Sequence, residues 1–164
     1  MATPLLRGFP PVVDDSATML IVGSFPSVLS LAGGQYYGNP RNAFWPITGE
    51  LFGFDAGDPY QSRLAALQSA GVALWDVLHS CRRHGSADAK IEPNSVVAND
   101  FGRLFADHPS IKRVYFNGTA ARRLYERLVD VDADVSYQVL PSTSPARAMR
   151  AGLKLQAWRA IAGS

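Results

Sequence analysis

Short apolar runs alternate with amphipathic segments along the chain, and this pattern predicts the order of its strands and helices. Four runs are typical of buried strands, at residues 17–24, 72–78, 111–118 and 135–140. Helical spacing predicts helices over 40–53, 60–70 and 96–107, a helix over 120–130 capped by Thr119, and a last helix with Met149, Leu153, Ala157 and Ile161 on one stripe. Strands separated by helices favour a parallel sheet covered on both faces. We therefore expect an α/β fold with a four-stranded parallel sheet sandwiched between helices.

The length and composition fit one globular domain. The chain has 164 residues, of which 47% are hydrophobic and 18% are charged, so it can bury a core of ordinary size. We interpret residues 1–164 as a single domain in which residues 1–16 form a peripheral N-terminal arm. No apolar run approaches the ~20 residues of a membrane span, and the first residues lack a signal-peptide pattern.

Cysteine and histidine usage bears on compartment and metal binding. The single Cys81 cannot form an internal disulfide, so we expect a reducing, cytoplasmic setting. His79, His84 and His108 fall in different predicted loops without the spacing of metal ligands. The sequence therefore predicts no metal site.

The charges are distributed unevenly between the two parts of the chain. Residues 1–102 contain six Lys/Arg and nine Asp/Glu, a net of −3, whereas residues 103–164 contain ten and five, a net of +5. A basic segment suits a polyanionic partner such as nucleic acid. Arginine-rich helices with a solvated face would give the same counts, so charge alone leaves both interpretations open.

The ends of the predicted strands carry the candidate chemistry. In open parallel sheets, ligands bind beyond the carboxyl ends of the strands. These ends are GSFPS at 23–27, Asp76 to His79, Asn117-Gly118, and PSTSPA at 141–146. Between the first two lies YYGNPRNAFW at 36–45, whose aromatic and amide side chains could stack on bases and read their edges.

Each candidate also has a purely structural interpretation. Asn42 could cap a helix, Asn117 could serve a turn, and Ser142 and Ser144 could form a hydroxyl-stabilised turn. Asp76 is harder to explain, because a carboxylate in an apolar strand must pair, cap a loop or be kept for function. The chain has no phosphate-binding loop and no G-x-S-x-G nucleophile elbow.

The order of these blocks resembles the uracil-DNA glycosylase superfamily, and within it the branch of hypoxanthine-DNA (deoxyinosine) glycosylases. The resemblance covers roughly residues 18–160 and rests on GSFPS, NPRNAFW, ALWDVLHSCRRHGS, VYFNG and LPSTSPA in that order. It implies a three-layer fold and a monomer that needs no metal or cofactor. The implied reaction is hydrolysis of the N-glycosidic bond of a deaminated base flipped out of single- or double-stranded DNA, which leaves an abasic site.

The resemblance also implies roles for individual residues. Many members place an Asp or Asn in the first motif to position the attacking water, but this chain has Phe25 there, so Asn42 becomes the candidate. Tyr37 matches an aromatic that stacks on the flipped base, and Ser24, Phe25 and Asn117 complete the implied base pocket.

Two more positions matter for the implied site. Asp76 stands where uracil-specific members keep an Asn, and its carboxylate would accept from N1–H of hypoxanthine, although N3–H of uracil is a similar donor. Leu140 replaces a His or Asn that often stabilises the leaving base. The resemblance further implies that Ser142, Ser144 and Arg147 contact the DNA backbone.

Three function classes remain compatible with the sequence. The first is a base-excision enzyme. The second is a damaged-DNA-binding relative with weak or lost catalysis, which Phe25 and Leu140 would explain. The third is an α/β enzyme acting on free nucleosides.

Overall fold

The fold is that of a central parallel sheet with a small antiparallel sheet beside it. A computed structural model describes residues 3–162. The strands are β1 (Leu5–Arg7), β2 (Met19–Gly23), β3 (Val72–Asp76), β4 (Leu78–Arg82), β5 (Val97–Ala98), β6 (Arg113–Asn117) and β7 (Ser136–Leu140). The α-helices are α1 (Val28–Gly33), α2 (Phe44–Phe52), α3 (Tyr60–Ser69), α4 (Phe101–Asp107), α5 (Thr119–Leu128) and α6 (Ala151–Trp158).

The predicted four-stranded parallel sheet is confirmed. Its order is β3-β2-β6-β7, and each neighbouring pair is parallel. Side chains alternate between its two faces, since Leu20 and Val22 of β2 enter one buried cluster while Met19 and Ile21 enter the other. The first cluster contains residues of α4 and α5, and the second contains residues of α2, α3 and α6. The result is a three-layer fold in which the sheet is buried on both sides.

The N-terminal segment pairs with the body of the fold. Strands β1, β4 and β5 form the antiparallel sheet, in the order β1-β4-β5. Val12 also forms a bridge with Leu74 at the edge of the parallel sheet. Residues 3–16 of the predicted arm therefore cover one edge of the larger sheet, while residues 1 and 2 lie outside the described part of the chain.

Three predicted helices differ from the structure at their starts. The helix predicted over 40–53 begins at Phe44, because residues 39–42 form a turn in which the Asn42 N–H donates to the Asn39 carbonyl at 2.9 Å. The helix predicted over 96–107 begins only at Phe101, because residues 97–98 pair as β5 and the Asp100 carboxylate accepts the Arg103 N–H at 3.0 Å. Thr119 is the first residue of α5 and not its cap. The cap is Gly118, at a φ of +95°, a conformation that favours glycine.

The stripe predicted for the C-terminal helix is confirmed at Ile161, which is 1% exposed, but it is wrong at Leu153. Leu153 is 52% exposed, and the buried side chains of α6 are Lys154 and Trp158. Trp158 takes the place in the core because its ring packs edge-to-face on Phe44 and its Nε1–H donates to the Pro141 carbonyl at 2.8 Å. Within residues 3–162, no helix has the length and apolar character needed to cross a membrane.

Candidate functional site: the cavity at the strand ends

The carboxyl ends of the four parallel strands meet at a cavity of about 280 Å³. Eight of the nine residues that the sequence predicts for the site line it: Ser24, Phe25, Tyr37, Asn42, Asp76, Asn117, Ser142 and Ser144. Arg147 is exposed on the same loop, after Pro145 and Ala146, which also line the cavity. Two wider depressions, of about 470 and 570 Å³, lie beside α4 and β7 and do not contain these residues.

Asp76 ends β3 with its carboxyl group at the cavity. The residue is only 5% exposed, and within residues 3–162 its carboxylate makes no hydrogen bond, whereas its main-chain carbonyl accepts from Asn99 Nδ2 at 2.8 Å. The pKa of Asp76 is raised to about 7. Burial is the largest cause, the charge of Asp88 adds to it, and Arg83 acts in the opposite direction. A buried carboxyl group that titrates near neutrality and faces a cavity is typical of a functional group.

Tyr37 forms an aromatic wall of the cavity. Its φ is +53°, an uncommon conformation for a residue with a side chain, and its ring stacks on Phe44 with centroids 3.9 Å apart. Burial and the nearby Asp76 charge raise the pKa of the phenol above its ordinary value, so it stays neutral, although the nearby Asn117 amide acts in the opposite direction. Because Phe44 covers one face of the ring, a base could stack only on the other.

Asn42 lies two residues before α2 and faces the cavity. Its Oδ1 accepts the Phe44 N–H at 2.9 Å, an Asx turn that leads into the helix, while the N-cap position belongs to Ala43, which makes no side-chain cap bond. Its Nδ2 makes no hydrogen bond within the described residues, and a carbonyl oxygen has a second lone pair. The bond from the Phe44 N–H therefore leaves part of the Asn42 amide free to hold a water or a substrate group.

Asn117 joins the end of β6 to the loop after β7. Its Nδ2 donates to Thr143 Oγ1 and its Oδ1 accepts the Thr143 N–H, both at 2.9 Å. The Thr143 carbonyl in turn accepts the Ala43 N–H at 3.0 Å. These bonds fix the LPSTSPA loop against the NPRNAFW segment, which is a structural role for Asn117 beside its contact with Tyr37.

The serines of the LPSTSPA loop form the turns that sequence reasoning left open as an alternative. Ser142 Oγ accepts the Ser144 N–H at 3.1 Å, and Ser144 Oγ accepts the Ala146 N–H at 3.2 Å. Each hydroxyl then still has its own O–H to donate. Phosphate oxygens accept such bonds, so the turn and the predicted backbone contact are compatible.

The two apolar motif positions lie in different surroundings. Phe25 is 7% exposed and lines the cavity. Leu140 is 2% exposed and belongs to the core cluster that contains Trp158. Leu140 therefore completes the core beneath the loop and offers no polar group to a ligand.

Three charged residues near the cavity were missed by sequence reasoning. Asp88 lines it and accepts the Ser24 hydroxyl at 2.7 Å. Arg83 is 1% exposed, and Lys154 is 4% exposed with its ammonium donating to the Ser144 carbonyl at 3.1 Å. The polar run RRHGSAD at 82–88 was a visible signal for the loop, but nothing in the sequence indicated that Arg83 is buried. Among residues 3–162, no group of three or more His, Cys, Asp or Glu side chains could hold a metal ion.

Comparisons with known proteins agree with this geometry. The model of the uracil DNA glycosylase superfamily matches residues 10–162. A hypoxanthine DNA glycosylase of Methanosarcina acetivorans is 37% identical over 94% of this chain and 96% of its own, and one of Methanosarcina barkeri is 42% identical over 68% and 70%. A solution NMR structure of a Methanosarcina acetivorans protein whose name refers to uracil DNA glycosylase is 33% identical, with a TM-score of 0.77 over 96% of this chain and 99% of that one. This chain belongs to the uracil DNA glycosylase superfamily.

Proposed function

We propose that this protein is a DNA glycosylase that removes hypoxanthine from DNA by hydrolysing its N-glycosidic bond, leaving an abasic site. The observation that carries the proposal is the cavity at the strand ends, where Asn42, Asp76 and Tyr37 line one space in a member of this superfamily. The two archaeal relatives named hypoxanthine DNA glycosylase support the choice of base.

The size of the cavity suits one flipped base. A glycosidic bond inside a stacked duplex is out of reach, so the nucleotide must rotate out of the helix before the enzyme can act. The volume of about 280 Å³ lies just below the ~300–1,000 Å³ of sites for larger ligands. Deaminated bases pair poorly and therefore flip at the lowest energetic cost.

We assign to Asn42 the role of holding the attacking water. In the reaction the bond between C1′ and the base breaks, its electron pair leaves with the base, and C1′ develops oxocarbenium character. Water then adds to C1′ and releases a proton to solvent, and the departed base anion takes up a proton in turn. The free Nδ2 and the second Oδ1 lone pair of Asn42 can hold that water, while the bond from Phe44 N–H fixes the orientation of the amide.

We assign to Asp76 the role of accepting a hydrogen bond from the edge of the flipped base. In its ionised form the carboxylate has only acceptor positions and can accept from N1–H of hypoxanthine. Tyr37 provides the aromatic face. Its neutral hydroxyl and the Asp76 carboxylate both lie beside Gly23, the last residue of β2. The ionised form of Asp76 increases as pH rises through about 7.

The loop after β7 is the part that we assign to the DNA backbone. The Ser142 and Ser144 hydroxyls can each donate to a phosphate oxygen while accepting a main-chain N–H. Arg147 is exposed at the end of this loop and supplies a positive charge. This arrangement would place the phosphates next to the flipped nucleotide at the cavity mouth.

Phe25 favours a second candidate function, a damaged-DNA-binding protein that has lost most of its catalysis. An apolar, cavity-lining Phe25 cannot position a water in the way that the polar residue of related first motifs does. In that case Asn42 would only stabilise the first turn of α2.

A glycosylase assay separates these functions. Duplexes and single strands containing hypoxanthine, uracil or xanthine are incubated with the protein, and abasic sites are then cleaved with alkali. We expect scission at hypoxanthine, and binding without scission would support the second function. Hydrolysis of free inosine without action on DNA would overturn both.

A further inference from the structure

Arg83 is a buried cation that connects two walls of the cavity. The residue is 1% exposed. Its Nη2 donates to the Pro26 carbonyl at 2.7 Å and its Nε donates to the Gly85 carbonyl at 2.6 Å. The guanidinium also lies 5.2 Å from the centroid of the Phe25 ring, which lines the cavity.

The bonds of Arg83 reach two separate loops. Pro26 belongs to the turn after β2 and lines the cavity itself. Gly85 directly precedes residues 86–88, which also line the cavity, and Ser86 Oγ accepts the Val28 N–H at 2.9 Å. One guanidinium therefore fixes both chain segments through their main-chain carbonyls.

The charge of Arg83 is not neutralised by contact. Within residues 3–162 it forms no ion pair with a carboxylate, and its Nη1 is buried without a hydrogen-bond partner. A buried cation without a contacting anion is costly, so a fold usually keeps one where its charge is used. The carboxylates on which its charge acts are those of Asp76 and Asp88.

We propose that Arg83 is a positioning residue for base excision: its planar fork holds the two cavity walls together, and its charge keeps Asp76 available as an ionised acceptor. This inference rests on the proposed function for its catalytic part. Its electrostatic part concerns the free protein and can be tested without substrate.

The electrostatic part depends on every group that faces Asp76. Tyr37 and Tyr36 lie close to it, and burial raises the pKa of both phenols, so neither carries charge near neutral pH. Asp88 raises the pKa of Asp76, and Arg83 lowers it. Arg83 is thus the cation that opposes both burial and the Asp88 charge.

Three variants test the proposal. Arg83→Met removes charge and fork, Arg83→Lys keeps the charge but cannot hold both carbonyls with a planar fork, and Arg82→Met is the matched control. Arg82 is the neighbouring residue of β4, is exposed, and donates through Nη1 to the Thr3 carbonyl. The readouts are the Asp76 pKa by carbon-detected NMR, kcat/KM for a hypoxanthine duplex against pH, and Tm.

We expect Arg83→Met to raise the Asp76 pKa by about one unit, which would lower the ionised fraction of Asp76, and with it kcat/KM, by about fivefold at pH 7. Arg83→Lys should keep the Asp76 pKa near that of the wild type while raising KM, and Arg82→Met should leave that pKa unchanged. A purely structural Arg83 would instead lower Tm and activity in Arg83→Met without moving the Asp76 pKa, which would overturn the proposal.

The remaining outcomes are also decisive. If Arg83→Met does not fold, Arg83→Lys decides alone: a shifted Asp76 pKa refutes the charge role, and an unchanged KM refutes the fork role. If the wild type excises no base from any duplex, the proposed function fails. The NMR titration still tests the coupling between Arg83 and Asp76 in that case.

Discussion

Gly23 and the Asp76 carboxylate approach each other so closely that residue 23 has no room for a side chain. A Cβ on Gly23 would lie 2.5 Å from Asp76 Oδ1 and 3.3 Å from the Tyr37 hydroxyl. The two residues are paired at the ends of neighbouring parallel strands, Gly23 on β2 and Asp76 on β3. The glycine of the GSFPS motif is therefore needed because the carboxylate occupies the space beside it.

We expect Gly23→Ala to displace the Asp76 carboxylate and to reduce hypoxanthine excision by at least about tenfold, since a displaced acceptor no longer meets the base edge. Single-turnover excision rates measure the effect, with Tm as a check on folding. Gly33→Ala is the matched control, because a Cβ there meets nothing within 4 Å. If both variants excise equally well, the close contact does not matter for catalysis.

Asn42→Ala should lower the rate of hypoxanthine excision by at least ~10²-fold, the low end for a positioned polar group in catalysis. The substitution also removes the bond from Phe44 N–H to Oδ1, so we expect a loss of about 0.5–1.5 kcal/mol in unfolding free energy. Single-turnover rates and urea denaturation measure the two effects separately.

The control for Asn42 is Asp100→Ala. Asp100 is the N-cap of α4, where its carboxylate accepts the Arg103 N–H at 3.0 Å, and it does not line the candidate cavity. Asp100→Ala should show a similar stability loss with excision intact. Equal excision by Asn42→Ala and Asp100→Ala would remove Asn42 from the mechanism and leave it only its role in the turn before α2.

Asp76→Asn should make stability depend less on pH. The folded-state pKa of Asp76 is about 7 against an ordinary value of 3.8, so folding favours its protonated form. The wild type therefore loses stability as pH rises from about 4 to about 7, by about 1.4 kcal/mol per pH unit at most, and loses no more above that range. Asn cannot ionise and avoids this loss.

Urea denaturation of the wild type and Asp76→Asn across that pH range measures the difference. We expect the stability advantage of Asp76→Asn to be small near pH 4, to grow through neutrality and to level off above about pH 7. A difference that stays constant with pH would mean that Asp76 is ionised throughout.

The strands, and the edge of the sheet where the candidate site lies, could be predicted from the sequence because their signals are local. The runs predicted at 17–24, 72–78, 111–118 and 135–140 end within two residues of the observed strand ends, and parallel strand ends gather at one edge of a sheet. Helix boundaries were less accessible. The face of α6 depends on Trp158, whose edge-to-face contact with Phe44 joins residues 114 positions apart.

The buried cations could not be predicted for a related reason. Arg83 and Lys154 donate to main-chain carbonyls, at Pro26, Gly85 and Ser144. Every residue has such a carbonyl, so the sequence does not indicate which ones bind a buried cation. Charged residues are also almost always exposed, so a sequence-based expectation places both on the surface. The short strands β4 and β5 were also missed. β5 has only two residues, and it pairs with β4 across a bulge.

Arg147→Ala should weaken binding to abasic-site duplexes and lower the salt dependence of that binding. Arg147 is exposed on the loop that carries Ser142 and Ser144, and each lost phosphate contact reduces the slope of log K against log salt by about 0.9. Fluorescence anisotropy between ~50 and ~200 mM salt measures this slope. Arg103→Ala is the control, because Arg103 is exposed on α4, across the sheet from α2, and pairs with Asp107. An unchanged slope in Arg147→Ala would place the backbone contact elsewhere.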